Sequence, residues 1–146
     1  MSAKFKASLP YTEFSVKKTG SASSIKQISV FRPIIPVTIL YHQKFVQFAA
    51  LADSGADYNI FHGDIATYLG IKLTSGSKKK ISGISGQITG YCHKVSLKID
   101  SYVWETNIIF SNQIPENAIA VLGNQGFFDK FNVEFNYRDK VISLIR

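Results

Sequence analysis

The chain has a single cysteine, Cys92, and no long apolar run. One cysteine cannot form an intramolecular disulfide, which favours a reducing compartment. No segment reaches the run of about 18 apolar residues that a membrane-spanning helix requires. The residues after Met1 turn polar without the apolar core of a signal peptide. These absences predict a cytoplasmic protein with no membrane partner.

Acidic residues are scarce too, since 10 Asp and Glu face 17 Lys and Arg, which gives a net charge of +7. Such an excess raises nucleic acid as a partner. The lysines are scattered, however, and no recognition helix, zinc-finger spacing or RNA-binding aromatic pattern accompanies them. We therefore predict a solvated basic surface rather than a nucleic-acid partner. The one tight run, Lys78–Lys80, has the alternative role of steering acidic substrates.

The residues that are present predict one globular domain of the all-β class. The chain is 45% hydrophobic and 13% aromatic over 146 residues, enough for a substantial core. Val95–Asp100 alternates between apolar and polar side chains, as a half-buried strand does. Similar strand-like runs recur along the chain: Ile25–Phe31, Ile34–Tyr41, Phe45–Ala52, Tyr91–Ile99, Trp104–Phe110, Val133–Tyr137 and Val141–Ile145.

Helical signals are few, and the first residues look separate from the rest. Asp64–Leu69 can form one or two turns, with Asp64 near the N-cap and Gly70 ending the helix, and Gln125–Phe131 is the other candidate. Residues 1–24 end in the loose linker Gly20–Ser24. We predict an N-terminal extension over residues 1–24, either flexible or an extra strand, and a domain over residues 25–146.

The segment Asp53–Phe61 is the main candidate for chemistry. Phe45–Ala52 reads as a buried strand, so a carboxylate at its end loses part of its hydration and needs a compensating role. Gly55 permits a sharp turn directly after Ser54. The alternative is an ordinary surface turn, because Asp, Ser and Gly are common turn residues. The apolar lead-in favours a displayed carboxylate.

Four segments in this order resemble the retropepsin-like aspartic proteases. Pro36–Phe48 resembles the hairpin that leads into the active-site loop, and Asp53–Phe61 resembles that loop. Ile81–Ile88 resembles the flap that closes over substrate, and Ala120–Gly123 with Phe127–Phe131 resembles the late apolar-apolar-Gly motif and its short helix. The resemblance covers about residues 34 to 145. It implies a retropepsin-like closed β-barrel, the acid-protease fold.

The resemblance also implies an activity, that of an aspartic endopeptidase acting on extended polypeptides without a cofactor. Asp53 would be the catalytic residue, Ser54 would hydrogen-bond across a two-fold axis, and Gly55 would support the loop. Ala56 and Asp57 would contact the substrate main chain, with a structural ion pair as the alternative for Asp57. The flap tip would bind substrate through its backbone and a side-chain pocket, with the residues Gly83, Ile84, Ser85 and Gly86.

Peptide hydrolysis of this type needs two carboxylates, and the chain supplies one. None of the other aspartates is followed by Ser or Thr and then Gly. A homodimer with Asp53 from each subunit on the axis is therefore expected. The family's Arg after the late glycine is replaced by Asn124, which removes a dimer-stabilising ion pair. A dimeric peptide-binding or scaffold module without proteolysis is the alternative function.

Other chemistries have less support in the sequence. Cys92 and His93 are sequence neighbours, which is not the arrangement that a catalytic Cys-His pair usually needs, and no serine lies in a nucleophile elbow. His62 and Asp64 do not form a recognised metal-ligand spacing. We predict no metal site.

Overall fold

The computed structural model describes residues 4–19, 25–83 and 86–146. The strands in these ranges are β1 Lys6–Pro10, β2 Thr12–Thr19, β3 Ile25–Arg32, β4 Ile34–Tyr41, β5 Lys44–Ala52, β6 Ile60–His62, β7 Ser77–Gly83, β8 Gly86–Ile99, β9 Tyr102–Ser111, β10 Ala120–Leu122, β11 Asn132–Asn136 and β12 Val141–Ile145. Helix α1, Gly63–Tyr68, follows β6, and a 3₁₀ turn spans Leu73–Ser75. The all-β prediction is confirmed.

The main sheet closes on itself. Its strand order is β4-β5-β10-β6-β9-β8-β7, and an additional pairing of β4 with β8 completes a ring of six strands. Strand β7 stays outside this ring, and within residues 4–19, 25–83 and 86–146 it pairs with β8 alone. Most neighbours are antiparallel, whereas β10 pairs with β5, and β6 with β9, in parallel. The closed barrel predicted from the sequence is therefore present.

The ring encloses an apolar core. Inward residues alternate along β4, β8 and β9, as the sequence pattern of these strands predicts. The largest side chains with almost no exposed area are Phe61, Phe110, Phe127, Ile35, Ile39, Leu69, Leu97, Ile99, Ile108, Leu122, Ile142 and Leu144. Because the set draws on most strands of the ring, the core fixes their relative positions.

The two ends of the chain meet in a second sheet. Its order is β1-β12-β11, with β12 in the middle, and Arg146 donates its backbone N–H to the Phe5 carbonyl over 3.0 Å. The turn Tyr137–Lys140 joins β11 to β12. Within the predicted extension, β1 thus belongs to this sheet, and β2 pairs with β3 in a separate two-stranded sheet. The domain boundary at residue 24 stays a prediction.

One of the two predicted helices is present. Helix α1 lies within one residue of the predicted span, and Gly70 follows it with a φ of 78°. The N-cap is His62, whose Nδ1 accepts the Asp64 N–H over 3.0 Å, so Asp64 lies near the N-cap as predicted. No helix in the described residues is long and apolar enough to cross a membrane.

The helix predicted over Gln125–Phe131 is wrong. These residues form consecutive turns, with Gly126 at a φ of 106°. The N–H groups of Phe128 and Asp129 bond to carbonyls five residues earlier, on Gly123 and Asn124. Glycine in that conformation interrupts the regular four-residue ladder that an α-helix requires.

Candidate active site

The barrel holds the loop of Asp53 at the carboxyl end of β5. Strand β10 runs parallel to β5, with Ala120 opposite Ala50 and Leu122 opposite Ala52. Just past this pairing, the Asp53 N–H donates to the Leu122 carbonyl over 3.0 Å. On the opposite side, the Ala52 N–H donates to the Pro33 carbonyl over 3.0 Å. The backbone at Ala52 and Asp53 is therefore anchored to β10 and to Pro33, the residue between β3 and β4.

The loop closes around the Asp53 carboxylate. Its Oδ1 accepts the Gly55 N–H over 2.9 Å, and its backbone carbonyl accepts the Ala56 N–H over 3.1 Å. A Cβ at Gly55 would lie 3.2 Å from the same Oδ1 atom, which is tight. Glycine thus lets the backbone N–H reach the carboxylate. The Asp53 side chain stays partly exposed, so it remains accessible from outside the protomer.

The second half of the loop is bonded to the segment after β10. The Asn124 N–H donates to the Ala56 carbonyl over 2.8 Å, and the Gln125 N–H donates to the Asp57 carbonyl over 2.9 Å. Tyr58 then forms a parallel bridge with Gln125. The two residues after the late glycine motif therefore support the loop directly.

Gly123 allows the closest approach between these two segments. A Cβ at this position would lie 2.4 Å from the Tyr58 carbonyl oxygen and 2.7 Å from the Tyr58 backbone nitrogen. Both atoms belong to the main chain and cannot rotate away. Any larger residue at position 123 would push the two segments apart.

Asn59 supports the candidate site, although no sequence pattern above indicates it. Its side chain is 1% exposed, its Oδ1 accepts the Gly123 N–H over 2.9 Å, and its Nδ2 donates to the Asn107 carbonyl over 3.4 Å. One buried amide thereby links the loop, the late glycine and β9. The sequence does contain a signal, because Asn59 is a single amide directly before the apolar pair Ile60–Phe61. An amide beside buried residues is itself easily buried, and a buried amide needs hydrogen-bond partners.

The other predicted loop residues point outward. Ser54 and Asp57 are exposed, and neither side chain has a hydrogen-bond or ion-pair partner among the residues that the structure describes. The predicted ion-pair role of Asp57 therefore has no support within the described part of one protomer. Both side chains are available to a substrate or to a second subunit.

The predicted flap, Ile81–Ile88, lies at the end of the β7–β8 hairpin. Gly83 pairs with Gly86 there, and Gly86 has a φ of 120°, a conformation that favours glycine. Ile84 and Ser85, predicted as the tip, lie outside the described residues. Strand β7 is exposed along nearly its whole length, and β8 pairs with β9 only from Tyr91 onward. The end of the hairpin is therefore held mainly by hydrogen bonds between its own two strands.

Two cavities lie near the loop, and neither includes any of residues 53–57 in its lining. One of about 620 Å³ lies along β4 and β5. The other, of about 350 Å³, is lined by Tyr58 and Gln125, which bridge beside the loop, and by Lys79 of β7. Among the described residues, no group of three His, Cys, Asp or Glu side chains could hold a metal ion.

Comparison with solved structures identifies the fold. The chain is similar to a retropepsin-like aspartic protease from Rickettsia conorii, with 15% identity and a TM-score of 0.58 over 99% of this chain and 96% of that one. It is also similar to the EIAV protease complexed with the inhibitor HBY-793, with 23% identity and a TM-score of 0.49 over 64% of this chain and 82% of that one.

Other comparisons add no relatives, because no protein-family model and no curated protein matches the chain. The similarity to the Rickettsia conorii structure shows that the chain has a retropepsin-like fold.

Proposed function

We propose that the protein is an aspartic endopeptidase whose catalytic residue is Asp53. The observation that carries the proposal is the position of this carboxylate in a retropepsin-like fold. Asp53 follows β5, is bonded to β10 and accepts the Gly55 N–H, while its side chain remains partly exposed. A carboxylate with a fixed backbone and an accessible side chain is suited to activating a water molecule.

The reaction needs two carboxyl groups in different protonation states. An ionised carboxylate takes a proton from water as the water oxygen attacks the peptide carbonyl carbon, and a protonated one donates to the carbonyl oxygen. The resulting intermediate breaks its C–N bond, and the amine leaves with a proton. Two carboxyls within hydrogen-bond distance share one proton and titrate as a unit, which supplies the acid and the base together.

A second copy of the chain supplies the second carboxyl in this proposal. The described protomer has no other aspartate on a comparable loop, and Asp53 is the only one in an Asp-Ser/Thr-Gly sequence. An isologous dimer brings identical residues together on its two-fold axis. Ser54, exposed and without a partner in the described part of the protomer, would then hydrogen-bond across that axis.

The second sheet, β1-β12-β11, has two edge strands that could contact a second subunit. Strand β12 is paired on both sides within the protomer, by β1 and by β11. A partner strand could therefore add only beside β1 or β11. Such contacts would compensate for the ion pair that is missing because Asn124 follows Gly123.

Substrate would bind as an extended strand between the loop and the flap. The hairpin ends at Gly83 and Gly86, and we assign substrate binding to these residues together with Ile84 and Ser85. Backbone groups at a hairpin end can pair with an extended peptide and exclude water. Ala56 and the exposed Asp57 would contact the substrate main chain from the opposite side.

The test is cleavage of a peptide library by wild type and by Asp53→Asn from acidic to neutral pH. We expect the substitution to lower kcat/KM at least about 100-fold, because a neutral amide cannot act as the base. Asp100→Asn is the matched control, since Asp100 is exposed and its φ of 53° suits Asn. Cleavage that survives Asp53→Asn would refute the mechanism.

Oligomeric state is the parallel measurement. Sedimentation over a range of concentrations should show a dimer whose dissociation lowers specific activity. A monomer with full activity would rule out the shared site.

The second candidate is a dimeric peptide-binding or scaffold module. Asn124 in place of the arginine favours it, since a weaker dimer would leave most carboxylates without their partner. Binding of library peptides without cleavage by a demonstrated dimer would support this function. For either function, cytoplasmic location stays a prediction from the sequence.

A further inference from the structure

A pocket of about 350 Å³ lies between the flap and the turns that support the catalytic loop. Tyr58 and Gln125, whose backbones bridge beside that loop, form one wall. Strands β7, β8 and β9 supply much of the rest. Its charged lining residues are Lys79, Lys94, Glu105, Asp129 and Lys130.

Because successive side chains of a strand point to opposite faces, the middle lysine of the Lys78–Lys80 run lies on a different face from the other two. Residues 79, 81 and 83 share one face of β7, and residues 78 and 80 share the other. Lys79 lines the pocket, whereas Lys78 and Lys80 do not. Opposite Lys79 on β8 lies Gly90, and a Cβ there would lie 2.4 Å from the Ile109 Cγ2, so Ile109, which also lines the pocket, covers Gly90. The pocket and the flap end therefore lie along the same face of β7.

The charges around the pocket leave two lysines without acidic partners. Lys94 pairs with Glu105 at 3.4 Å, and the Asp129 Oδ1 accepts the Gly126 N–H over 3.0 Å. Among the described residues, Lys79 and Lys130 have no carboxylate oxygen within 4.0 Å. Lys130 is also half-buried. An anionic group in the pocket would give both ammonium groups a charge-assisted hydrogen-bond partner.

Neutral donors lie beside the two ammonium groups. Asn107 and Gln125 line the pocket, both are exposed, and each side-chain amide carries two N–H donors. An ionised carboxylate accepts up to about four hydrogen bonds at its two oxygens. The combination of two ammonium groups and two amides suits a carboxylate better than an apolar side chain.

We propose that this pocket binds an acidic side chain of the substrate, with Lys79 and Lys130 as its cationic contacts. The inference rests on the proposed peptidase function and narrows its substrates to extended peptides with Asp or Glu away from the scissile bond. The flap would then supply both backbone contacts, at its end, and a charge contact further along β7.

The test uses cleavable peptides that differ only by Glu or Gln at one position, scanned along the sequence. At one position, wild type should cleave the Glu peptide with a kcat/KM about fivefold higher or more, as expected for a partly exposed charge contact. Lys79→Glu should abolish or reverse that preference, and Lys79→Arg should retain it. Lys80→Glu is the matched control on the opposite face of β7, and it should leave the preference unchanged.

Direct binding separates this inference from the proposed catalysis. Fluorescence anisotropy with Asp53→Asn and a labelled short apolar peptide carrying one Glu should show tighter binding than with its Gln counterpart. Adding Lys79→Glu should remove the difference. Equal kcat/KM and equal binding for the two peptides would overturn the acidic subsite while leaving Asp53-dependent cleavage intact. Loss of the preference equally in Lys79→Glu and Lys80→Glu would overturn it too, because only general electrostatic attraction would then act.

Discussion

The proposed catalytic loop and the predicted flap are both turns that bear glycine, but they are held in different ways. The loop is bonded to β10 and to the segment after it, and a buried amide links it to Gly123. The flap is the exposed end of a hairpin, where each strand pairs with the other rather than with the barrel. The difference suits their proposed roles, since a catalytic carboxylate needs fixed geometry and a flap must open for substrate.

The largest expected effect comes from Gly123→Ala, which breaks the support of the loop. The new Cβ would meet backbone atoms of Tyr58. We expect the free energy of unfolding to fall by about 3 kcal/mol, which is the upper end of the usual cost of adding atoms to a packed site. Urea denaturation at a fixed protomer concentration measures it, because dimer formation would also add stability. A loss below about 1 kcal/mol would show that the two segments can separate easily.

Asn59→Ala should have the next largest effect. It leaves the buried Gly123 N–H without its acceptor and opens a small cavity, which together cost about 2 to 3 kcal/mol. The same denaturation experiment measures the change. Asn124→Ala is the control, because Asn124 is exposed and contributes its backbone N–H rather than its side chain. Equal losses in both variants would contradict a special role for the buried amide.

Gly86→Ala should have the smallest effect on stability. The φ of 120° strains any other residue, but no atom lies within 4 Å of the new Cβ and the hairpin end can open locally. We expect a loss of about 1 kcal/mol or less together with a clear fall in peptide cleavage. Gly83→Ala is the matched control, with its nearest contact at 3.9 Å and no positive φ. If Gly83→Ala impaired cleavage as much as Gly86→Ala, backbone strain would not be the cause.

The local patterns of the sequence predict most of the fold. Period-two alternation and apolar runs locate the strands of the barrel, because each strand's burial follows from its own residues. The prediction failed over Gln125–Phe131, where Gly126 adopts a conformation fixed by contacts with distant residues. Trp104 and Thr106 both donate to the Gly126 carbonyl, a pairing 20 or more positions apart that no local pattern reveals.

The sequence by itself determined which candidate groups the chain contains. These are one carboxylate in Asp53-Ser54-Gly55 and a pair of glycines at residues 83 and 86, with no second copy of the loop motif. The tertiary structure alone decided which groups support and surround that carboxylate. Asn59 became a link, Gly123 a point of close approach, and Lys79 the lysine that faces the pocket. The physical reason is that residue type and spacing fix local conformation, whereas burial and hydrogen-bond partners depend on strands distant in the chain.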